Sequence, residues 1–150
     1  MKTRDYLLLV LLAVLDQLTK IAATTYLQLH VRVKIVENFF YLTLSHNTGA
    51  AWSILEGQSM LFIVFAIAAT GYIIYYLNTH KTINKWMKLS LIMIAAGAIG
   101  NVIDRIIYGY VIDFLDFYIF GYDFPVFNFA DSCITVGMFI LALCILLDKE

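Results

Sequence analysis

The stretch that decides the fold runs over residues 86–108 and reads WMKLSLIMIAAGAIGNVIDRIIY. Apart from Lys88 and Ser90, it is apolar until Asn101, Asp104 and Arg105 near its end. A helix needs about 20 mainly apolar residues to cross roughly 30 Å of hydrocarbon. The stretch therefore predicts a membrane-spanning helix whose polar residues are concentrated at one end.

Three further stretches meet the same requirement, and the composition of the whole chain agrees with them. They cover about 6–26, 60–77 and 125–147, and the last begins at Pro125, whose missing N–H suits a helix start. Of the 150 residues, 62% are hydrophobic and 14% are charged, whereas soluble domains carry about 25% charged residues. We expect an integral membrane, mainly α-helical protein of four transmembrane helices, forming one domain over 1–150.

The basic residues at the ends of the spans and outside them predict the orientation of the chain. Six lie on one side of the predicted membrane and two on the other. The six are Lys2, Arg4, Lys81, Lys85, Lys88 and Lys149, and the two are Arg32 and Lys34. Because basic residues favour the cytoplasmic side, we expect both termini in the cytoplasm and the loops at 27–59 and 109–124 outside.

The first span resembles the start of a secretory signal peptide, since Lys2 and Arg4 precede the apolar run 7–15. However, Asp16, Gln17 and Lys20 stand where small residues should lead to a cleavage site. We therefore expect the first helix to be retained.

The first outer loop, 27–59, carries strand signals. Val31, Val33 and Ile35 alternate with basic residues, the period-two pattern of a half-buried strand. A second strand is predicted at 39–44, followed by a turn at 47–49. These patterns predict a small antiparallel sheet on the outer membrane surface, either a rigid connector or a cradle for a substrate. Aromatic residues such as Trp52 suit the membrane interface.

Most polar residues of the predicted spans occur in groups with helical spacing. Asn101, Asp104 and Arg105 share one face of the third helix; Asp16 and Lys20 stand at i and i+4 on the first. Ionisable groups inside a membrane are functional candidates. The structural alternatives are an Asp104–Arg105 ion pair, a self-satisfied Asp16–Lys20 pair, and asparagines that serve as interhelical hydrogen-bond partners.

Asp113 and Asp131 form a different class, because neither has a basic residue one helical turn away. Asn128 and Asp131 lie at i and i+3 at the outer end of the fourth helix, and Asp113 follows the third helix. Two carboxylates that converge there fit a dyad in which one keeps a proton while the other ionises. The remaining outer carboxylates are expected to be solvated loop charges; they are Glu37, Glu56, Asp116 and Asp123.

Other chemistries have weaker sequence support. Cys133 and Cys144 are separated by 11 helical residues, roughly 16 Å, so they cannot form a disulfide, and we expect small apolar packing residues rather than zinc ligands or a thiol nucleophile. No histidine stands at a recognisable spacing from a serine, although triads are recognised by geometry. The net charge of -1 gives no nucleic-acid footprint.

Five motifs, taken in order, resemble those of bacterial lipoprotein signal peptidase, also called signal peptidase II. Together with the four spans they cover nearly the whole chain. The motifs are DQLTK at 16–20, NTGAAW at 47–52, GNVIDR at 100–105, VIDF at 111–114 and FNFADS at 127–132.

The resemblance implies a function and assigns roles to residues. It implies an aspartic endopeptidase of the bacterial cell membrane that removes the signal peptide from diacylglyceryl-modified prolipoproteins, cutting just before the lipidated cysteine. The implied catalytic dyad is Asp113 and Asp131. The implied supporting or substrate-binding residues are Asp16, Lys20, Asn47, Gly49, Asn101, Asp104, Arg105 and Asn128. The expected partners are these substrates and membrane lipid, with no metal, no cofactor and a monomeric enzyme.

The alternative from another class is a non-enzymatic membrane protein, such as a proton-relay transporter subunit or an assembly factor. A proton relay predicts polar residues that continue across the membrane. The second predicted span has no charged residue, and the third and fourth lose their polar residues toward the cytoplasmic side. A site open to one face of the membrane agrees better with an enzyme.

Overall fold

The computed structural model describes residues 1–49, 57–80 and 82–147. Its helices are α1 (Thr3–Tyr26), α2 (Ser59–Thr79), α3 (Lys85–Tyr108) and α4 (Phe129–Leu146). All four are long and apolar enough to cross a membrane, which confirms the four predicted spans. Ala50, Ala51, Trp52, Glu56, Lys81 and Lys149 lie outside the described residues.

Helix α3 is the centre of the bundle, and α1, α2 and α4 all pack against it. The apolar core lies toward one end of the helices and includes Leu9, Leu77, Ile92 and Cys144. Small residues bring α3 and α4 into backbone contact: a Cβ atom added at Gly137 would lie 2.8 Å from the carbonyl oxygen of Ser90. Close approach at small residues is typical of helix packing in membranes.

Four antiparallel strands form one sheet in the order β1 (Arg32–Val36), β2 (Phe40–Asn47), β3 (Val111–Ile119) and β4 (Tyr122–Asp123). The predicted sheet in the first outer loop is confirmed by β1 and β2. The sequence did not predict β3, which follows α3 and pairs with β2. In that pairing Ser45 lies opposite Asp113, so β3 holds a candidate catalytic residue in a defined register.

The fourth helix begins four residues later than predicted, at Phe129 rather than Pro125. The cause is Phe127, which pairs with Leu115 of β3: its N–H donates to the Leu115 carbonyl (3.0 Å) and its carbonyl accepts from the Leu115 N–H (2.8 Å). The chain is therefore extended up to Asn128. This residue becomes the N-cap of α4, and Asp131 lies in the first turn.

The expectation that Asp116 is a solvated loop charge was wrong, because its side chain is completely buried. Arg32 of β1 donates to both of its carboxylate oxygens, at 2.8 and 2.9 Å, and Thr43 of β2 donates to one of them. Arg32 also donates to Asp123 of β4 at 2.8 Å. These carboxylates raise the pKa of Arg32. The Arg32 guanidinium of β1 thus binds β3 and β4, and the Asp116 carboxylate also binds β2.

Candidate active site

Asp113 lies on β3 with only 2% of its surface exposed. Two side-chain amides donate to it: Asn128 to Oδ1 at 2.7 Å and Asn47 to Oδ2 at 3.0 Å. Burial, and then the nearby charge of Asp131, raise the pKa of Asp113 to about 7. A carboxyl group in this environment holds a proton near neutral pH.

Asp131 lies in the first turn of α4, where the helix begins beside the sheet. Its Oδ1 accepts a hydrogen bond from the Asn101 side chain at 2.7 Å, and its Oδ2 accepts from the Asn128 N–H at 3.3 Å. The Asn128 side chain accepts in return from the Asp131 N–H at 2.9 Å, which completes a capping box. A helix N-terminus favours a negative charge, so the position suits an ionised carboxylate.

Asn128 connects the two aspartates. Its side-chain N–H group donates to Asp113 and also to Asn101 Oδ1 at 3.1 Å, while Asn101 donates to Asp131. Two asparagine amides thus join the carboxyl groups across α3, β3 and α4. The structure brings together Asp113, Asp131, Asn101 and Asn128.

A buried ionic cluster lies next to these amides. The Lys20 ammonium donates to Asp16 at 2.8 Å, to Asp104 at 2.9 Å and to Asn101 at 3.0 Å. Asp104 therefore pairs with Lys20, not with Arg105, and Asp16 and Lys20 are not a self-contained pair. Gln17, which the sequence did not single out beyond its motif, donates to both Asp16 and Asp104 at 3.2 and 3.0 Å.

Arg105 extends in another direction, toward the first outer loop. It donates to the carbonyl oxygen of Gly49 at 2.9 Å, and its guanidinium carbon lies 4.8 Å from the centre of the Phe62 ring. Its Nε is buried without a hydrogen-bond partner among the described residues. The Gly49 N–H in turn donates to Asn47 at 2.9 Å, so Arg105 supports the turn that carries Asn47.

A cavity of about 840 Å³ opens beside Asp131. Asn47, Gly49, Asn101 and Arg105 form its polar end, and the rest of its wall is mostly apolar. The other lining residues are Phe62, Val111, Phe117, Ile119, Phe124, Pro125, Val126, Phe127, Ser132, Ile134, Thr135 and Val136. This arrangement can hold a large apolar group with one polar bond placed beside the Asp131 carboxylate.

The sequence did not reveal most of this apolar wall. Ile119, Phe124 and Phe127 come from the β3–β4 hairpin and the segment after it. The position of this hairpin depends on the pairing of β3 with β2, which lies far away in the chain. The nearly continuous apolar run of 111–119, bounded by a glycine on each side, is the signal that could have indicated a buried strand.

Over 1–49, 57–80 and 82–147, no group of three His, Cys, Asp or Glu side chains is arranged to hold a metal ion. Cys133 and Cys144 are both buried free cysteines. His46 stacks on Tyr110 with ring centres 4.0 Å apart, and burial lowers its pKa.

Comparison with known proteins gives one consistent result. The family model described as signal peptidase (SPase) II matches residues 8–147. The lipoprotein signal peptidase of Staphylococcus aureus (strain JH9) is 37% identical over 144 residues, covering 96% of this chain and 88% of the relative. A solved structure described as a bacterial membrane enzyme, determined by the in meso method at 2.3 Å resolution, superposes with a TM-score of 0.90 at 35% identity, covering 98% of this chain and 90% of that one. A second such structure, at 1.9 Å resolution, gives a TM-score of 0.86 at 35% identity, covering 95% and 92%.

Proposed function

The chain belongs to the signal peptidase II family, and we propose that Asp113 and Asp131 are the catalytic pair with which it removes signal peptides from prolipoproteins. The observation that carries this assignment is the chain of amide hydrogen bonds from Asp113 through Asn128 and Asn101 to Asp131. It joins two carboxyl groups in one buried site, and the Asp131 carboxyl lines the apolar cavity. Family membership favours a peptidase over a proton-relay subunit or an assembly factor.

The two carboxyl groups have different environments, which assigns them different roles. Asp131 lies at a helix N-terminus, which stabilises its ionised form. Asp113 is buried in the sheet, and its pKa of about 7 allows it to keep a proton. We assign Asp131 as the general base and Asp113 as the general acid.

The reaction follows from these protonation states. Asp131 takes a proton from a water molecule as the water oxygen attacks the scissile carbonyl carbon, and Asp113 gives its proton to the carbonyl oxygen. The tetrahedral intermediate then collapses: Asp131 passes its proton to the leaving nitrogen, the C–N bond breaks, and Asp113 recovers its proton from the hydroxyl. Both carboxyl groups return to their starting states.

The apolar cavity is the proposed site for the lipid of a diacylglyceryl-modified cysteine. Its wall includes Phe62 of α2 and Ile134 and Val136 of α4. Both helices pack on α3, with little contact between each other. A substrate anchored by acyl chains can therefore enter sideways from the membrane, with its scissile bond at the carboxylate end.

The test uses the purified enzyme in lipid vesicles and two forms of one prolipoprotein, with and without the diacylglyceryl group. We expect cleavage just before the cysteine in the lipidated form only, identified by mass spectrometry, and no cleavage by Asp131→Asn. Equal cleavage of both forms would contradict the role of the lipid. Cleavage by Asp131→Asn would contradict the catalytic assignment.

We further propose that both termini are cytoplasmic and that the carboxylates lie near the outer membrane face, on the basis of the six-to-two distribution of basic residues. Reporter fusions after Lys81 and Glu150 should read cytoplasmic, and a fusion after Glu56 should read extracytoplasmic. An outward C-terminus would overturn this orientation.

A further inference from the structure

Lys20 uses its whole hydrogen-bonding capacity inside the protein. An ammonium group has three N–H donors, and those of Lys20 reach Asp16, Asp104 and Asn101 at 2.8, 2.9 and 3.0 Å. Its side chain is 1% exposed. No donor remains for a substrate, so Lys20 supports the site without contacting the reacting atoms.

Each of the two carboxylates bound to Lys20 accepts a hydrogen bond from the backbone N–H that immediately precedes a catalytic aspartate. Asp16 accepts from the Ala130 N–H at 2.9 Å, immediately before Asp131. Asp104 accepts from the Ile112 N–H at 3.0 Å, immediately before Asp113. The third partner, Asn101, donates directly to Asp131.

We propose that Lys20 is a positioning residue that sets the separation and alignment of the two catalytic aspartates from behind, through Asp16, Asp104 and Asn101. This inference rests on the proposed function of Asp113 and Asp131. Lys20 draws together one carboxylate that fixes the start of α4 and one that fixes the start of β3. The helix and the strand that carry the dyad therefore share a single ionic anchor.

The packing around the anchor leaves little freedom for it to rearrange. A Cβ atom added at Gly100 of α3 would collide with the Asp16 carboxylate and would lie 3.4 Å from the Ala130 side chain. Asp104 is completely buried, and Gln17 donates to both acidic groups. Without the ammonium, two buried carboxylates would repel each other or take up protons, and either change moves the N–H groups that they hold.

The decisive variant is Lys20→Met, which keeps the length of the side chain and removes its charge. A displacement of about 1 Å in a reacting group can reduce turnover about 100-fold. We expect kcat for the lipidated substrate to fall by about that factor, with KM within about threefold of wild type because Lys20 does not touch the substrate. The charged groups that contact Lys20 are Asp16 and Asp104, and its positive charge lowers the pKa of Asp113. Loss of that charge should therefore raise the Asp113 pKa and move the pH optimum upward.

Lys88→Met is the matched control. Lys88 also connects α3 to α1, through Asp5 at 3.7 Å, but its contacts do not reach the dyad. We expect this variant to keep the wild-type kcat per folded molecule and the wild-type pH optimum. The same loss of kcat in both lysine variants would mean that Lys20 supports the fold in general and does not position the dyad.

Other outcomes overturn the proposal separately from the catalytic assignment. A Lys20→Met enzyme with raised KM and normal kcat would make Lys20 a binding residue, and one with wild-type kcat and pH optimum would give it no role in catalysis. If Lys20→Met does not fold, Gly100→Ala displaces Asp16 with Lys20 in place, and wild-type kcat there would also contradict the proposal. Failure of the dyad itself is recognised independently, by cleavage in Asp131→Asn.

Discussion

Replacing Asp113 with asparagine tests the dyad most directly, because the side chain keeps its size and loses its acid. In the native protein the two oxygens of Asp113 accept one hydrogen bond each, from Asn128 and from Asn47. An asparagine at 113 has one oxygen and one N–H₂ group, so one of these donors would face another donor. Losing one buried hydrogen bond in this way costs about 1–3 kcal/mol of unfolding free energy.

The loss of activity should be much larger than that structural cost implies. A positioned general acid or base contributes about 10²–10⁴-fold to the rate, and we expect Asp113→Asn to cleave at below about one-hundredth of the wild-type rate. Asp131→Asn should be similar. The double variant should be scarcely worse than either single one, because residues that act as a unit are strongly non-additive.

Asp116→Asn is the matched control for this substitution. Asp116 is also completely buried, lies three residues further along β3, and accepts hydrogen bonds from Arg32 and Thr43. Its replacement should cost a similar 1–3 kcal/mol or so, yet preserve cleavage per folded molecule. The assay combines mass-spectrometric cleavage rates with thermal unfolding in the same vesicles. Substantial turnover in Asp113→Asn, or losses that multiply in the double variant, would refute the shared-proton mechanism.

Four further predictions follow from the geometry. Arg105→Lys should reduce kcat/KM at least about tenfold, because an ammonium cannot replace the planar guanidinium fork; wild-type activity would mean that only the charge matters. Replacing both Cys133 and Cys144 with alanine should leave cleavage within about twofold of wild type, and abolished turnover in a folded protein would revive a thiol mechanism. Gly137→Ala places a Cβ 2.8 Å from an α3 carbonyl oxygen, so it should lower the unfolding free energy by about 1–3 kcal/mol, measured as a lower melting temperature. The pH–rate profile should be bell-shaped. Cleavage should decline as pH rises through the Asp113 pKa of about 7, because the acid then loses its proton. Constant activity well above that pH would contradict the role of Asp113 as general acid.

The features that the sequence predicts are those that depend on local patterns. The four spans follow from runs of apolar residues, and the spacing of Asn101 and Asp104 places both on one face of α3. Both side chains do contact the Lys20 cluster. Arg105 is adjacent in sequence, but its direction is set by Gly49 and Phe62, which come from other parts of the chain.

The features that the sequence did not predict depend on pairing between distant segments. Strand β3 has a nearly continuous apolar sequence without regular alternation. Its first four residues are all buried, so it gives no period-two signal. Its register is set by β2, far away in the chain. A separate bridge between Leu115 of β3 and Phe127 delays the start of α4 and overrides the local preference of Pro125 for a helix start.

The burial of Asp116 and the full set of Lys20 partners could not be derived from spacing either. Asp116 has no basic residue nearby in sequence, and its partner Arg32 lies 84 positions earlier. The i,i+4 spacing identifies Asp16 as a partner of Lys20, but the second partner, Asp104, also lies 84 residues away, on another helix. Ionic contacts between residues this far apart depend on the tertiary fold and cannot be predicted from local spacing.

The position of Arg32 has a consequence for how the sheet opens. Every residue of β1 is exposed, so this edge strand would be expected to fray first in native-state hydrogen exchange. The Arg32 guanidinium, however, is bound to β3 and β4, so β1 cannot separate without breaking contacts that also hold the strand carrying Asp113. The amide protons of β1 and β3 should therefore exchange together, as one cooperative unit, and protection of the edge strand becomes a direct measure of how firmly the catalytic strand is held.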